Sequence, residues 1–160
     1  MNERKQEALE DKLKRIKAAD IMSRYAITTE EETTIADIAH LMMRFKISGV
    51  PVLGKDKKMS GIITATDLFK LIGKIVGDIE NHSEFKDYYK MPVKSFMTMG
   101  VMMITPETTL YEIMKIMWEK NIHTLPVVVV SKQEIAGVIG RRDVINACYG
   151  TGNSKTTASY

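Results

Sequence analysis

The run Gly61-Ile62-Ile63-Thr64-Ala65-Thr66-Asp67-Leu68 puts an aspartate three residues after a threonine, at what reads as the start of a helix. That carboxylate is a fixed pair of acceptors, suited to the two hydroxyls of a sugar. The hydroxyls of Thr64 and Thr66 can donate to phosphate. The free amides and the positive dipole end of a helix N-terminus favour phosphate as well. The same spacing, Thr64-x-x-Asp67, is also an ordinary capping box, worth about 1 kcal/mol to the helix and needing no ligand to explain it. A second aspartate, Asp143, closes a related run, Gly137-Val138-Ile139-Gly140-Arg141-Arg142-Asp143-Val144. There Gly140 stands where Thr64 stands, and Arg141-Arg142 replace Ala65-Thr66, so a hydroxyl donor is lost and two cations are gained. Those arginines can hold phosphate bidentately, in their own cleft or the neighbouring one, or stay solvated on an exposed helix start. His123 is either a proton donor beside phosphate or a histidine with no ligand role.

Other chemistries find little support. Cys148 is the only cysteine, which excludes an intrachain disulfide and a multi-cysteine metal site. His40, His82 and His123 fall on different elements and give no metal-ligand spacing. No Ser/His/Asp or Cys/His set has supporting context, and no Gly-x-x-x-x-Gly-Lys-Ser/Thr loop is present, so no enzymatic activity is expected. The net charge of +3, from 23 Lys+Arg against 20 Asp+Glu, is spread along the chain and does not argue for nucleic-acid binding. No stretch approaches the ~20 apolar residues that span a bilayer. Residues 1–10 lack the apolar stretch of a secretory signal, so the expected location is the cytoplasm. With 160 residues and 44% hydrophobic content the chain is long enough for one core or two small ones. Its 12 methionines are adaptable core filler or the lining of a cleft for a flat ligand.

The elements that must position these groups occur twice. Met22 and Met97, Thr34 and Thr109, and Pro51 and Pro126 are each 75 residues apart, while Gly61 and Gly137, like Asp67 and Asp143, are 76 apart. This register implies two copies, residues 19–72 and 93–149. Each reads as a short strand (Ala26 to Thr28; Val101 to Ile104), a helix, a hairpin and a closing helix, in the order β-α-β-β-α. The first helix of each copy follows from apolar residues at helical spacing, Ile35, Ile38, Ala39, Leu41, Met42 and Phe45 in one and Leu110, Ile113, Met114, Ile116 and Met117 in the other. Thr34-x-x-Asp37 and Thr109-x-x-Glu112 mark their starts. The hairpins pair Val50–Leu53 with Met59–Ile63 and Leu125–Val130 with Ile135–Ile139 across polar turns. Valines 127 to 130 read as a strand covered on both sides. The closing helices are Thr66–Val76 and Arg142–Tyr149. One unit of about fifty residues buries too little surface to stand alone, so the copies are expected to pack as a pseudo-two-fold α+β pair. Outside them lie an amphipathic N-terminal helix over 1–18, with Leu9, Leu13 and Ile16 on its stripe, a polar connector over 73–92 with Phe85, Tyr88 and Tyr89, and a flexible tail over 150–160.

Each copy resembles a CBS motif, the cystathionine β-synthase-type regulatory domain. The resemblance rests on Ile21-Met22-Ser23 with Phe96-Met97-Thr98, on Ser48-Gly49-Val50-Pro51-Val52 with His123-Thr124-Leu125-Pro126-Val127, and on the two Gly-to-Asp runs above. It implies a tandem pair, a Bateman module, that commonly dimerises with a second copy. It also implies clefts between the copies that bind an adenosine-containing ligand: AMP, ADP or ATP, or alternatively S-adenosylmethionine or NAD. The module then reports occupancy to an effector protein; the alternative is a ligand-free module that only dimerises or docks. Because the family's clefts are shared between copies, the resemblance assigns Thr64, Thr66, Asp67, Met102, Met103, Ile122, His123, Thr124 and Leu125 to a first nucleotide site. It assigns Ala26, Ile27, Ile47, Ser48, Gly49, Arg141, Arg142 and Asp143 to a second.

Overall fold

A computed structural model of the protein describes residues 2–84, 86–132 and 134–150. Phe85 and the tail residues 151–160 lie outside the described residues. Helix α1 (Asn2–Arg15) and the single turn α2 (Ala18–Ile21) precede strand β1 (Thr29–Glu30), helix α3 (Ile35–Phe45), strands β2 (Gly49–Leu53) and β3 (Met59–Thr64), and helix α4 (Ala65–Glu80). Two 3-10 turns, Tyr88–Lys90 and Val93–Ser95, lead to α5 (Leu110–Glu119), β4 (Thr124–Val129), β5 (Glu134–Gly140) and α6 (Arg141–Tyr149). The result is a mixed helix-and-strand fold of two motifs, each built around its own small sheet.

The duplication shows in the backbone. β1 runs parallel to β2, and β2 antiparallel to β3; in the second half β4 and β5 are antiparallel, and Ile104 makes a single parallel bridge to Val127. Both hairpins carry a bulge at the equivalent place, Val52/Leu53 and Val127/Val128. The expected first strands are displaced or reduced: Ala26–Thr28 forms no strand, β1 lying just past it, and of Val101–Ile104 only Ile104 is bridged. Ala26–Thr28 and Val101–Met103 stay unpaired, because only Thr29–Glu30 and Ile104 reach a neighbouring strand. Helix α4 also runs four residues beyond the expected Val76, with the Tyr88 hydroxyl donating to Asp78 Oδ2 at 2.6 Å to tie its last turns to the connector. The valine run is not buried throughout: Val127 is buried, but Val130 lies past the end of β4 and is 70% exposed. The bulge breaks the alternation there, and a two-stranded ribbon does not cover both faces of its end.

The segment leading into each copy packs on the other copy. Ala18 is buried among Ile104, Ile113, Leu125, Val127 and Ile139 of the second core; Val93 is buried among Ile35, Ile38, Val50, Val52 and Ile63 of the first. Ala18 N donates to Thr108 O at 2.8 Å, and Val93 N to Thr33 O at 2.8 Å. Ser23 exchanges backbone bonds with Val138, as Thr98 does with Ile62. The crossings are close enough to require glycine beneath them. A Cβ on Gly61 would lie 2.8 Å from Met97 Sδ and from Thr98 O; on Gly137 it would lie 2.7 Å from Ser23 O and 2.8 Å from Met22 Sδ. These paired contacts obey one approximate two-fold axis. Helix α1 packs against α5, with Lys14 Nζ 5.7 Å from the centre of the Tyr111 ring.

Candidate functional site

Helix α4 starts where β3 ends, and the change of direction is held by a complete capping box. Asp67 Oδ2 accepts from Thr64 N at 2.8 Å and from Thr64 Oγ1 at 2.7 Å, while Asp67 N donates back to Thr64 Oγ1 at 3.3 Å. The hydroxyl proton of Thr64 is thereby committed to the aspartate. Asp67 Oδ1 and the hydroxyl of Thr66 take no hydrogen bond among the described residues. One carboxylate oxygen is therefore held in place and the other is open to a ligand.

This corner forms one wall of a cleft of about 530 Å³ between the two motifs. The first motif contributes Ser48, Ile62, Thr64, Ala65, Thr66, Asp67 and Lys70; the second contributes Thr98 to Met102 apart from Met99, Asn121 to Thr124, and Arg141. The unpaired stretch matters here: Gly100, Val101 and Met102 make no backbone–backbone hydrogen bond among the described residues, so their N–H and C=O groups are open to a planar partner. His123 Nε2 lies 3.1 Å from Asn121 Oδ1. Thr124 is 6% exposed, and its Oγ1 finds no hydrogen-bond partner among the described residues. Its axis-related counterpart is Gly49, where a Cβ would fall 2.7 Å from that oxygen.

Of the residues assigned to a first site, Thr64, Thr66, Asp67, Met102, Ile122, His123 and Thr124 line this cleft. Met103 instead lines a more open groove beside α5, with Ile104, Thr108 and Ile116, and Leu125 is fully buried in the second core. The residues assigned to a second site are more dispersed. Ser48 and Arg141 line the first cleft, Gly49 is buried against Thr124, and Ile47 packs on the first core. Ala26 and Ile27 are half-buried, and Arg142 is exposed. Asp143 keeps half of the cap: its Oδ2 accepts from Gly140 N at 2.7 Å, with no hydroxyl to match Thr64. Burial is the main influence on the Asp143 carboxyl and pushes its pKa above the ordinary value, against the pull of the Gly140 amide and Arg142.

Sequence reasoning missed Ile62, Ala65, Lys70, Thr98, Gly100, Val101 and Asn121. Lys70 follows Asp67 by three residues, so the two share a helix face, and that spacing was the available signal. Thr98 closes the strand-like crossing over Ile62, which depends on the exchange of lead-in segments and leaves no local mark. Among the described residues no cluster of three or more metal-ligating side chains occurs, and no helix is long and apolar enough to cross a membrane.

The CBS-domain family profile matches residues 18–74 and 93–150, and the chain belongs to that family. It is 31% identical over 150 residues to an uncharacterized protein of Methanocaldococcus jannaschii, covering 80% of this chain and 88% of the relative. It is 32% identical over 129 residues to the inosine-5'-monophosphate dehydrogenase of Aquifex aeolicus, covering 76% of this chain but only 24% of that enzyme. Among solved structures, CBSX2 in complex with AMP superposes with a TM-score of 0.67 at 22% identity, covering 82% of this chain and 95% of that one. The CBS domain pair of protein MJ0100, in complex with 5'-methylthioadenosine and S-adenosyl-L-methionine, gives 0.67 at 22% identity, covering 80% and 91%. The chain therefore has the architecture of a CBS domain pair.

Proposed function

We propose that this chain is a non-catalytic regulatory module that binds an adenosine-containing ligand in the cleft beside Asp67 and passes its occupancy to a partner protein. AMP, ADP and ATP are the first ligands to test; S-adenosylmethionine and NAD are the alternatives. The observation that carries the reading is the half-used carboxylate. Asp67 is locked by one oxygen at a helix start, while its other oxygen stands free in a cleft whose opposite wall offers unpaired backbone groups at Val101 and Met102. Such a pairing suits a ribose diol and the edge of a base. The AMP-bound and S-adenosylmethionine-bound CBS pairs of the same fold support it. We place the module in the cytoplasm and expect a homodimer formed through the outer face of α4, where Phe69, Ile72, Val76 and Ile79 are exposed at helical spacing.

Thermal unfolding with each adenosine compound tests the reading. A ligand at 100 times its dissociation constant adds about 2.7 kcal/mol, and Asp67→Ala should remove most of that shift. No shift with any adenosine-containing compound would overturn it.

A further inference from the structure

Three side chains of full charge line the cleft: Asp67, Lys70 and Arg141. The two cations come from different motifs, Lys70 from the second turn of α4 and Arg141 from the first residue of α6. Neither forms a salt bridge among the described residues, and both are exposed. The axis-related positions carry no charge: Asn146 corresponds to Lys70, and Ala65 to Arg141. The duplication alone would not put both cations on one cleft; divergence of the copies did. Asp67 offsets only one of them, and its carboxylate already holds the helix cap. A concave surface with more cations than anions favours an anion and disfavours a sulfonium or a neutral nucleoside. Arg141 offers a planar fork and Lys70 a point charge, a combination that suits phosphate oxygens. The Thr66 hydroxyl stands on the same cleft as a further donor.

Building on the nucleotide reading above, we infer that Lys70 and Arg141 are its specificity-determining residues: they hold the phosphate of an adenine 5'-nucleotide and make the cleft reject adenosine and S-adenosyl sulfonium ligands. The contacts are charge–charge, so added salt weakens nucleotide binding and leaves adenosine binding nearly unchanged.

Isothermal titration of the full chain with AMP, ATP, adenosine and S-adenosylmethionine, at low and high salt, tests this. AMP or ATP should bind at least about tenfold more tightly than the other two, a difference of ~1.4 kcal/mol. Lys70→Gln and Arg141→Gln should each reduce that preference without changing adenosine affinity, and Asp67→Ala should weaken all four ligands. Both charge changes are at exposed positions, and thermal unfolding of the unliganded variants checks that they fold. Adenosine or S-adenosylmethionine binding as tightly as AMP, or a preference that survives both substitutions, overturns the inference and leaves the nucleotide reading standing. Absence of binding by all four compounds overturns both.

Discussion

The axis between the two motifs passes between Gly49 and Thr124, and substitution at that point makes a quantitative test. A Cβ built on Gly49 would lie 2.7 Å from Thr124 Oγ1, 2.9 Å from its Cγ2 and 3.0 Å from its Cβ. Carbon atoms prefer ~3.5–4.0 Å, so the overlap approaches about 1 Å. Neither backbone can easily retreat, since Gly49 pairs with Thr64 and Thr124 with Gly140 in their ladders. Gly49→Ala should therefore cost about 1–3 kcal/mol, the range for overpacking a core. Thr124→Gly loses a buried methyl, about 0.8 kcal/mol, and places glycine in a strand, about 0.5–1 kcal/mol. It also removes a buried hydroxyl that has no partner, which returns about 1–3 kcal/mol. That single change should thus lie between about 1 kcal/mol less stable and about 2 kcal/mol more stable than wild type, by the same terms. In the double variant the new Cβ occupies vacated space, so Gly49→Ala becomes nearly free and the coupling energy is about 1–3 kcal/mol. Urea unfolding followed by far-UV circular dichroism measures all three. If Gly49→Ala unfolds within about 0.5 kcal/mol of wild type, or the two changes are additive to about 0.5 kcal/mol, the close approach of the motifs at this point is wrong.

Two further outcomes follow from the surfaces and charges. Burial raises the Asp143 pKa above its ordinary 3.8, so between those two values the native state holds a proton that the unfolded chain has released. Stability from this group therefore falls as pH rises through the window just above 3.8; in urea titrations across that window Asp143→Asn should lose the fall, and parallel curves for variant and wild type would refute it. Placing aspartate at both Ile72 and Ile79, on the exposed face of α4, should convert a dimer to monomer in sedimentation equilibrium without lowering the unfolding temperature of the monomer, whereas an unchanged association state would rule that face out.

Much of the architecture was legible because the copies keep their register. Threonine caps with an acid three residues on, at Thr34, Thr64 and Thr109, carry a local physical cause, and all three form in the structure. What sequence could not show was partnership. Ala18 and Val93 are apolar, but hydrophobicity does not say which core takes them, and each enters the other copy's. The same limit explains Leu125 and Met103. A strand residue next to a cleft residue points to the opposite face, so Thr124 reaches the cleft and Leu125 the core. Strand ends were overrun for a related reason: β-branched runs such as Val127–Val130 continue past the last ladder bond, and pairing depends on how far the neighbouring strand extends.

Why the cleft beside Asp67 and not its axis-related twin should carry the function follows from how the copies diverged. A two-fold pair begins with two equivalent corners, each an aspartate at a helix start. At the first corner the cap is complete, and Thr124, His123 and two cations, against the single carboxylate of Asp67, complete the surroundings. At the second the matching positions are Gly140, Gly49, Ser48, Asn146 and Ala65, and the aspartate is penalised by burial when ionised. Arg141 sharpens the contrast, because it sits at the start of the second corner's helix yet lines the first cleft. One corner lacks the hydroxyl donor, and the arginine beside it lines the other corner's cleft. The scaffold's symmetry supplies the aspartate-bearing helix start twice, and the broken symmetry of its side chains gathers the complete cap, two cations and His123 beside only one of them.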